Sequence, residues 1–306
     1  MDGICGGIGF GGDRGWRGRI RATLNLMGSR NVLTGLMAAG LMAAALGLAL
    51  VPATGTSAGV RQAPAVSGLR AASGLPAVSG LPGADRLPLA GRVVGIDPGH
   101  NGLNNTSPAF LDRRIWNGRG WERCDSTGTR TAGGYTEASF TWNVAVYLRA
   151  DLIRMGARVV MTRTDNYGLG PCADTRAQIL DQAHADVSID IHADGGPRAG
   201  RGFTVLEPVA DGPNNRVIGP SLRFGRDVHA MMLRDTPVPV SDYYGRDGYV
   251  SRDDLAGLNL TTMPKVLIES GNMSNAADAA LLVRPGVQQA IAQALGTAIA
   301  RFLAGR

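Results

Sequence analysis

The chain is 306 residues long and 44% hydrophobic, which is enough to bury a core and excludes a wholly disordered polymer. Its formal charge is +6, but seven arginines against Asp2 and Asp13 place +5 of that in residues 1–84, leaving the remainder nearly neutral. Nucleic acid is therefore not an expected partner, because a phosphate-binding footprint needs a basic patch on the folded part.

Residues 31–60, "NVLTGLMAAGLMAAALGLALVPATGTSAGV", carry no charge and follow a run of arginines. A basic start, an apolar middle and small residues near the end predict an export signal, with a membrane anchor as the alternative. The leader is assigned to residues 1–58. Residues 59–90 are rich in Ala, Gly, Pro and Ser and repeat "PAVSGL" at 64–69 and 76–81, which predicts a disordered spacer. The folded domain is assigned to residues 91–306. Of three cysteines, Cys5 precedes the signal, so Cys124 and Cys172 form an even pair in an oxidising compartment and predict a disulfide.

From Arg92 onward apolar runs alternate with helical patterns. "RVVGID" (92–97) predicts a strand. Residues 137–156 place Phe140, Val144, Tyr147, Leu148 and Leu152 at helical spacing, with Gly156 as the stop. A strand follows at 157–163, then a helix over 174–186 capped by Asp174 or Thr175. Strands are expected at 187–194, 202–208 and 264–270, a helix at 221–235, and one or two closing helices over 276–304. This alternation predicts a single α/β domain with a mainly parallel twisted sheet and helices on both faces.

In such sheets chemistry collects at the carboxyl ends of the strands. His100 follows the first strand in "DPGH", His192 ends "VSIDIH", Glu269 ends "KVLIE", and Glu137 opens the first helix. Two imidazoles and a carboxylate with an open fourth position suit a catalytic zinc, and a second carboxylate can serve as general base. Rim placement alone leaves open which of Glu137 and Glu269 takes which role. Asp97, Asp190 and Asp194 are candidates to orient the imidazoles. His184 and His229 fall within predicted helices and read as structural or surface residues. "GTSAG" (55–59) matches the serine-hydrolase elbow only as a string, since no strand–turn–helix surrounds it. H-E-x-x-H does not occur, and no G-x-G-x-x-G follows a predicted strand as a dinucleotide fingerprint requires.

"VVGIDPGHNG", "TEASFTWNVAVYLRADLIRMGARVVMTR", "ADVSIDIHADGG" and "MPKVLIESGNMSNAADAALL" resemble, in order, the zinc-dependent N-acetylmuramoyl-L-alanine amidases of the AmiC/CwlV type, the amidase_3 family. The resemblance spans roughly residues 92–304. It implies one Zn2+ held by His100, Glu137 and His192, with Glu269 as the catalytic residue. It also implies hydrolysis of the amide between N-acetylmuramic acid and L-alanine of peptidoglycan, outside the cytoplasm, by a chain expected to be monomeric. Membrane contact is expected only through an uncleaved signal. Departures from the family pattern are "DIHADG" for "SIHAN" and Asn272 where an aromatic is usual. A further departure is the long segment 103–135, with Trp116, Trp121 and Cys124, which could shape or cover the cleft. Two other readings are a metal-dead or occluded peptidoglycan-binding regulator and a peptidase on the same scaffold.

Overall fold

Val94, Ile96, Val187, Ile189, Ile191, Val266 and Ile268 occupy alternate positions along three short segments, and all are fully buried. A period of two puts each set on one face of a strand. The computed structural model describes residues 87–305; the leader and most of the spacer lie outside them. In chain order the elements are β1 (Val93–Pro98), α1 (Pro108–Leu111), β2 (Arg114–Trp116), β3 (Trp121–Arg123), α2 (Glu137–Arg154), β4 (Arg158–Met161), α3 (Ala173–Gln182), β5 (Val187–Asp194), β6 (Thr204–Pro208), α4 (Ile218–Asp235), β7 (Tyr249–Arg252), α5 (Ala256–Asn259), β8 (Lys265–Asn272), α6 (Ala276–Leu282) and α7 (Pro285–Ala304).

Six strands form one sheet in the order β4-β1-β5-β8-β6-β7. Pairing is parallel from β4 through β8. β6 runs antiparallel to β8, and β7 follows β6 in parallel. β2 and β3 make a separate antiparallel hairpin. On one face α2, α4 and α7 close a continuous apolar core in which Phe140, Val144, Leu148 and Leu152 pack with Ile291, Leu295 and Ile299. Each such side chain stabilises the fold by about 1.5–3 kcal/mol. On the other face Leu180 of α3 closes over Gly95, and Leu258 of α5 clusters with Leu206 and Leu267. The expected sheet, covered on both faces, is present.

Local differences have local causes. α3 starts one residue earlier than expected, with Cys172 in extended conformation at the N-cap, no side-chain cap, and a disulfide from Cys172 to Cys124. His184 is not in a helix: α3 ends at Gln182, and His184 sits exposed at φ 52 in the turn that follows. The hairpin and β7 carry no long apolar run, and periodicity does not reveal them.

The face of the sheet opposite the large core also carries a buried polar group. Lys265 Nζ lies 2.7 Å from Asp97 Oδ2 and 3.6 Å from Asp190 Oδ2, and Arg176 Nη1 lies 2.9 Å from Asp97 Oδ1. Burial alone would raise the Asp97 pKa, but Lys265 and Arg176 hold its carboxyl far below the usual range. These groups link Asp97 near the end of β1, Asp190 within β5 and Lys265 at the start of β8.

Candidate metal centre and active site

β1 ends in a turn whose backbone is held at every carbonyl. Pro98 O accepts from Arg163 and Arg176, Gly99 O from Thr141 Oγ1, and His100 O from Arg176. This scaffold keeps His100 in the left-handed region at φ 59, which non-glycine residues seldom occupy and which marks functional sites when the surroundings enforce it. Gly99 is required by close approach, since a Cβ there would stand 2.3 Å from His192 Cε1.

Glu137 is the first residue of α2, after the N-cap Thr136, so its carboxylate sits where the helix dipole favours negative charge. Its Oε2 accepts from Thr129 N at 2.8 Å, and its Oε1 from Ala193 N at 3.1 Å. His192 comes from β5, one residue past the end of its apolar stretch. His100 Nε2 lies 3.1 Å from Glu137 Oε2, and His192 Nδ1 lies 2.9 Å from Glu137 Oε1. One ligand atom from each of the three lies within 4.8 Å of the other two. The imidazoles meet edge to face, centroids 4.8 Å apart.

The outer nitrogens also have carboxylate neighbours. His100 Nδ1 is 2.9 Å from Asp125 Oδ1, and His192 Nε2 is 3.2 Å from Asp190 Oδ1. Of the three aspartates considered from sequence, Asp190 is beside a ring, Asp97 belongs to the Lys265 network, and Asp194 accepts from Tyr243 Oη at 2.6 Å. Asp125 was not among the three. It is remote from both histidines in sequence, and its neighbour Cys124 is the one available signal.

Electrostatics follow from this packing. Burial would lower the His100 pKa, but the Glu137 charge and hydrogen bonds to Asp125 and Glu137 push it up to about 9. His192 is likewise raised, against burial, by Asp190 and Glu137. Glu137 is held well below its ordinary value by the two imidazoles, again against burial. The three side chains form a tightly coupled donor set of two nitrogens and one carboxylate, the composition that suits zinc.

Glu269 lies across from His192 in the β5–β8 register. Its Oε2 is shielded from solvent and has no hydrogen-bond partner. Burial, reinforced by Glu137 and Asp194 and opposed by the imidazoles, pushes its pKa up to about 8. A cavity of about 340 Å³ opens at the two imidazoles, lined also by Asp125, Arg176 and Leu255. A second, of about 290 Å³, shares His100, Ser126, His192, Leu255 and Leu267 with the first and is lined also by Glu137 and Glu269. His100 and His192 line both. Residues of segment 103–135 form part of the wall of each. Asn272, in place of an aromatic, donates to Pro197 O and Gly200 O and so ties down the loop after β5.

A mainly parallel α/β domain with an imidazole–carboxylate–imidazole cluster at the carboxyl ends of its strands defines the class of this protein. The chain belongs to the amidase_3 family, N-acetylmuramoyl-L-alanine amidase, which matches residues 94–301. It is 42% identical over 218 residues to the N-acetylmuramoyl-L-alanine amidase Rv3717 of Mycobacterium tuberculosis, covering 71% of this chain and 88% of that one. The apo form of the N-acetylmuramyl-L-alanine amidase Ami1 from Mycobacterium abscessus superposes with a TM-score of 0.66 at 42% identity, over 70% of this chain and 100% of that chain. The catalytic domain of CwlV from Bacillus (Paenibacillus) polymyxa var. colistinus has the same fold, with a TM-score of 0.54 at 22% identity over 70% of this chain and 99% of that chain.

Proposed function

We propose that this chain is a zinc-dependent peptidoglycan hydrolase that cleaves the amide between N-acetylmuramic acid and the L-alanine of the stem peptide, in cell-wall remodelling or turnover. The observation that carries the reading is the convergence of His100, Glu137 and His192 to within 4.8 Å in a member of an amidase family. These three would hold one Zn2+. When bound, zinc supplies a Lewis acid for the scissile carbonyl and brings the pKa of water to about 7.

Glu269 is the catalytic base and then acid. Its elevated pKa and its Oε2, which lacks a hydrogen-bond partner, suit a carboxylate that takes a proton from the attacking water. The same proton goes to the departing nitrogen as the carbon–nitrogen bond breaks. The products are a carboxylic acid on the lactyl group and a free amine on L-alanine. The carboxylate of Asp125 and the Arg163–Arg176 scaffold hold His100, while Glu137 and Asp190 flank His192. The scissile amide joins two bulky arms, a glycan and a peptide, and the two adjoining cavities at the imidazoles leave room for substrate. The disulfide and the leader at residues 1–58 support work outside the cytoplasm, periplasmic, secreted or wall-associated.

Digestion of purified muropeptides read by mass spectrometry tests this reading. Free stem peptides beside intact glycan are expected. Cut stems would make the chain a peptidase, and unchanged muropeptide that still binds would make it a regulator.

A further inference from the structure

The two imidazoles are supported differently. His192 lies within a central strand, whereas His100 stands on a turn and relies on a carboxylate from an irregular stretch. Asp125 Oδ1 meets His100 Nδ1 at 2.9 Å and accepts from Ser126 N at 2.7 Å. Asp125 Oδ2 accepts from the buried amides of Asn101, at 3.2 Å, and Asn104, at 2.9 Å. This carboxylate is therefore aimed at His100 from a fixed position. A ring that donates Nδ1–H to it presents the Nε2 lone pair toward Glu137.

Asp125 itself sits just beyond β3, in a stretch without helix or strand that runs to the start of α2. The residue before it, Cys124, is covalently joined to Cys172 at the N-cap of α3 and accepts from Ala173 N at 3.0 Å. One turn further along α3, Arg176 Nη2 is 2.8 Å from His100 O and 3.8 Å from Asp125 Oδ2. The same helix thus holds the backbone of His100 and, through the disulfide, the residue that orients its ring.

We propose that Asp125 is the positioning residue for His100, and that the Cys124–Cys172 disulfide is the clamp that sets Asp125 in place. Zinc affinity then depends on a covalent bond outside the ligand set. The proposal rests on the cluster being the zinc site, and the experiment separates the two claims.

Zinc alone is titrated into the full chain against a chromophoric chelator, in wild type, Asp125→Ala, Cys124→Ser/Cys172→Ser and the triple variant. Asp125→Ala is expected to weaken zinc about ten- to a hundredfold, the usual cost of losing such a partner. The cysteine changes are expected to weaken it severalfold in the wild-type background and less than about twofold beside Asp125→Ala, because both act through one carboxylate. Melting of each metal-free variant checks its fold. If the cysteine variant does not fold, phosphine reduction of the folded oxidised chain supplies that arm. Unchanged affinity in Asp125→Ala, or an equal loss from the cysteine changes in both backgrounds, overturns the proposal. If His100→Ala binds zinc as tightly as wild type, the cluster is not the zinc site and the proposal falls with it.

Discussion

Glu269 combines poor solvation with chemical usefulness, and each consequence can be measured. If it is the proposed base, its loss should remove at least about a hundredfold in rate while leaving zinc bound. Glu269→Ala, assayed on muropeptides with zinc content determined in parallel, checks this; full turnover would refute the role. Its pKa in the folded protein, about 8, is above the ordinary value. The folded state therefore holds a proton that the unfolded chain has released, and stability falls as pH rises from about 4.3 through about 8. In the metal-free protein Glu269→Gln should remove that loss. Its melting temperature should exceed that of wild type at pH 9 and match it near pH 4. Equal melting at pH 9 would show that the carboxyl ionises freely in the fold. Among the three residues of the cluster, His100 and His192 stand out in the sequence because they follow apolar β-branched runs. Glu137 is legible only as a helix start, and its contact with both rings depends on the tertiary fold.

At the scale of elements, the buried Asp97–Lys265–Asp190 group ties β1, β5 and β8 together. Removing one partner of a buried ion pair leaves an uncompensated charge and costs about 3–5 kcal/mol. Lys265→Met should therefore destabilise the domain by that order in urea unfolding, and a change below about 1 kcal/mol would show that Arg176 suffices for Asp97. Five of the six strands of the main sheet are readable, β7 being the exception: β5 matches its expected span of 187–194, and α2 ends two residues inside the expected stop. The β2–β3 hairpin is not. Its strands are three residues each, and its inward residues are Ile115 and the half-buried Glu122. Such a hairpin is fixed by contacts from elsewhere, including Asn117 to Asp254 O and Asn259 to Asn117 O. No local pattern encodes those partners. The antiparallel turn of β6 is hidden for the same reason, because a strand's apolar content does not record its direction.

Across the whole molecule, the disulfide joins the hairpin segment to α3 over a sequence separation of 48. Closing a loop of that length stabilises a domain by about 2–4 kcal/mol, which at this size corresponds to roughly 5–15 °C in melting temperature. Reduction should lower the melting temperature of the folded chain by that amount, and an unchanged melt would show the bond to be thermodynamically silent. The cysteine pair was readable from compartment and parity, but its place beside Asp125 was not, since sequence distance hides which loop meets which turn. The α/β class followed from alternation alone, and the family followed from four motifs in order. The proposed activity requires one ion held by side chains from three separate segments. Elemental analysis of the full chain, wild type against His100→Ala/Glu137→Ala/His192→Ala, tests that most directly. One zinc per wild-type chain and none in the triple variant is the predicted result; zinc absent from wild type, or retained by the variant, would contradict it.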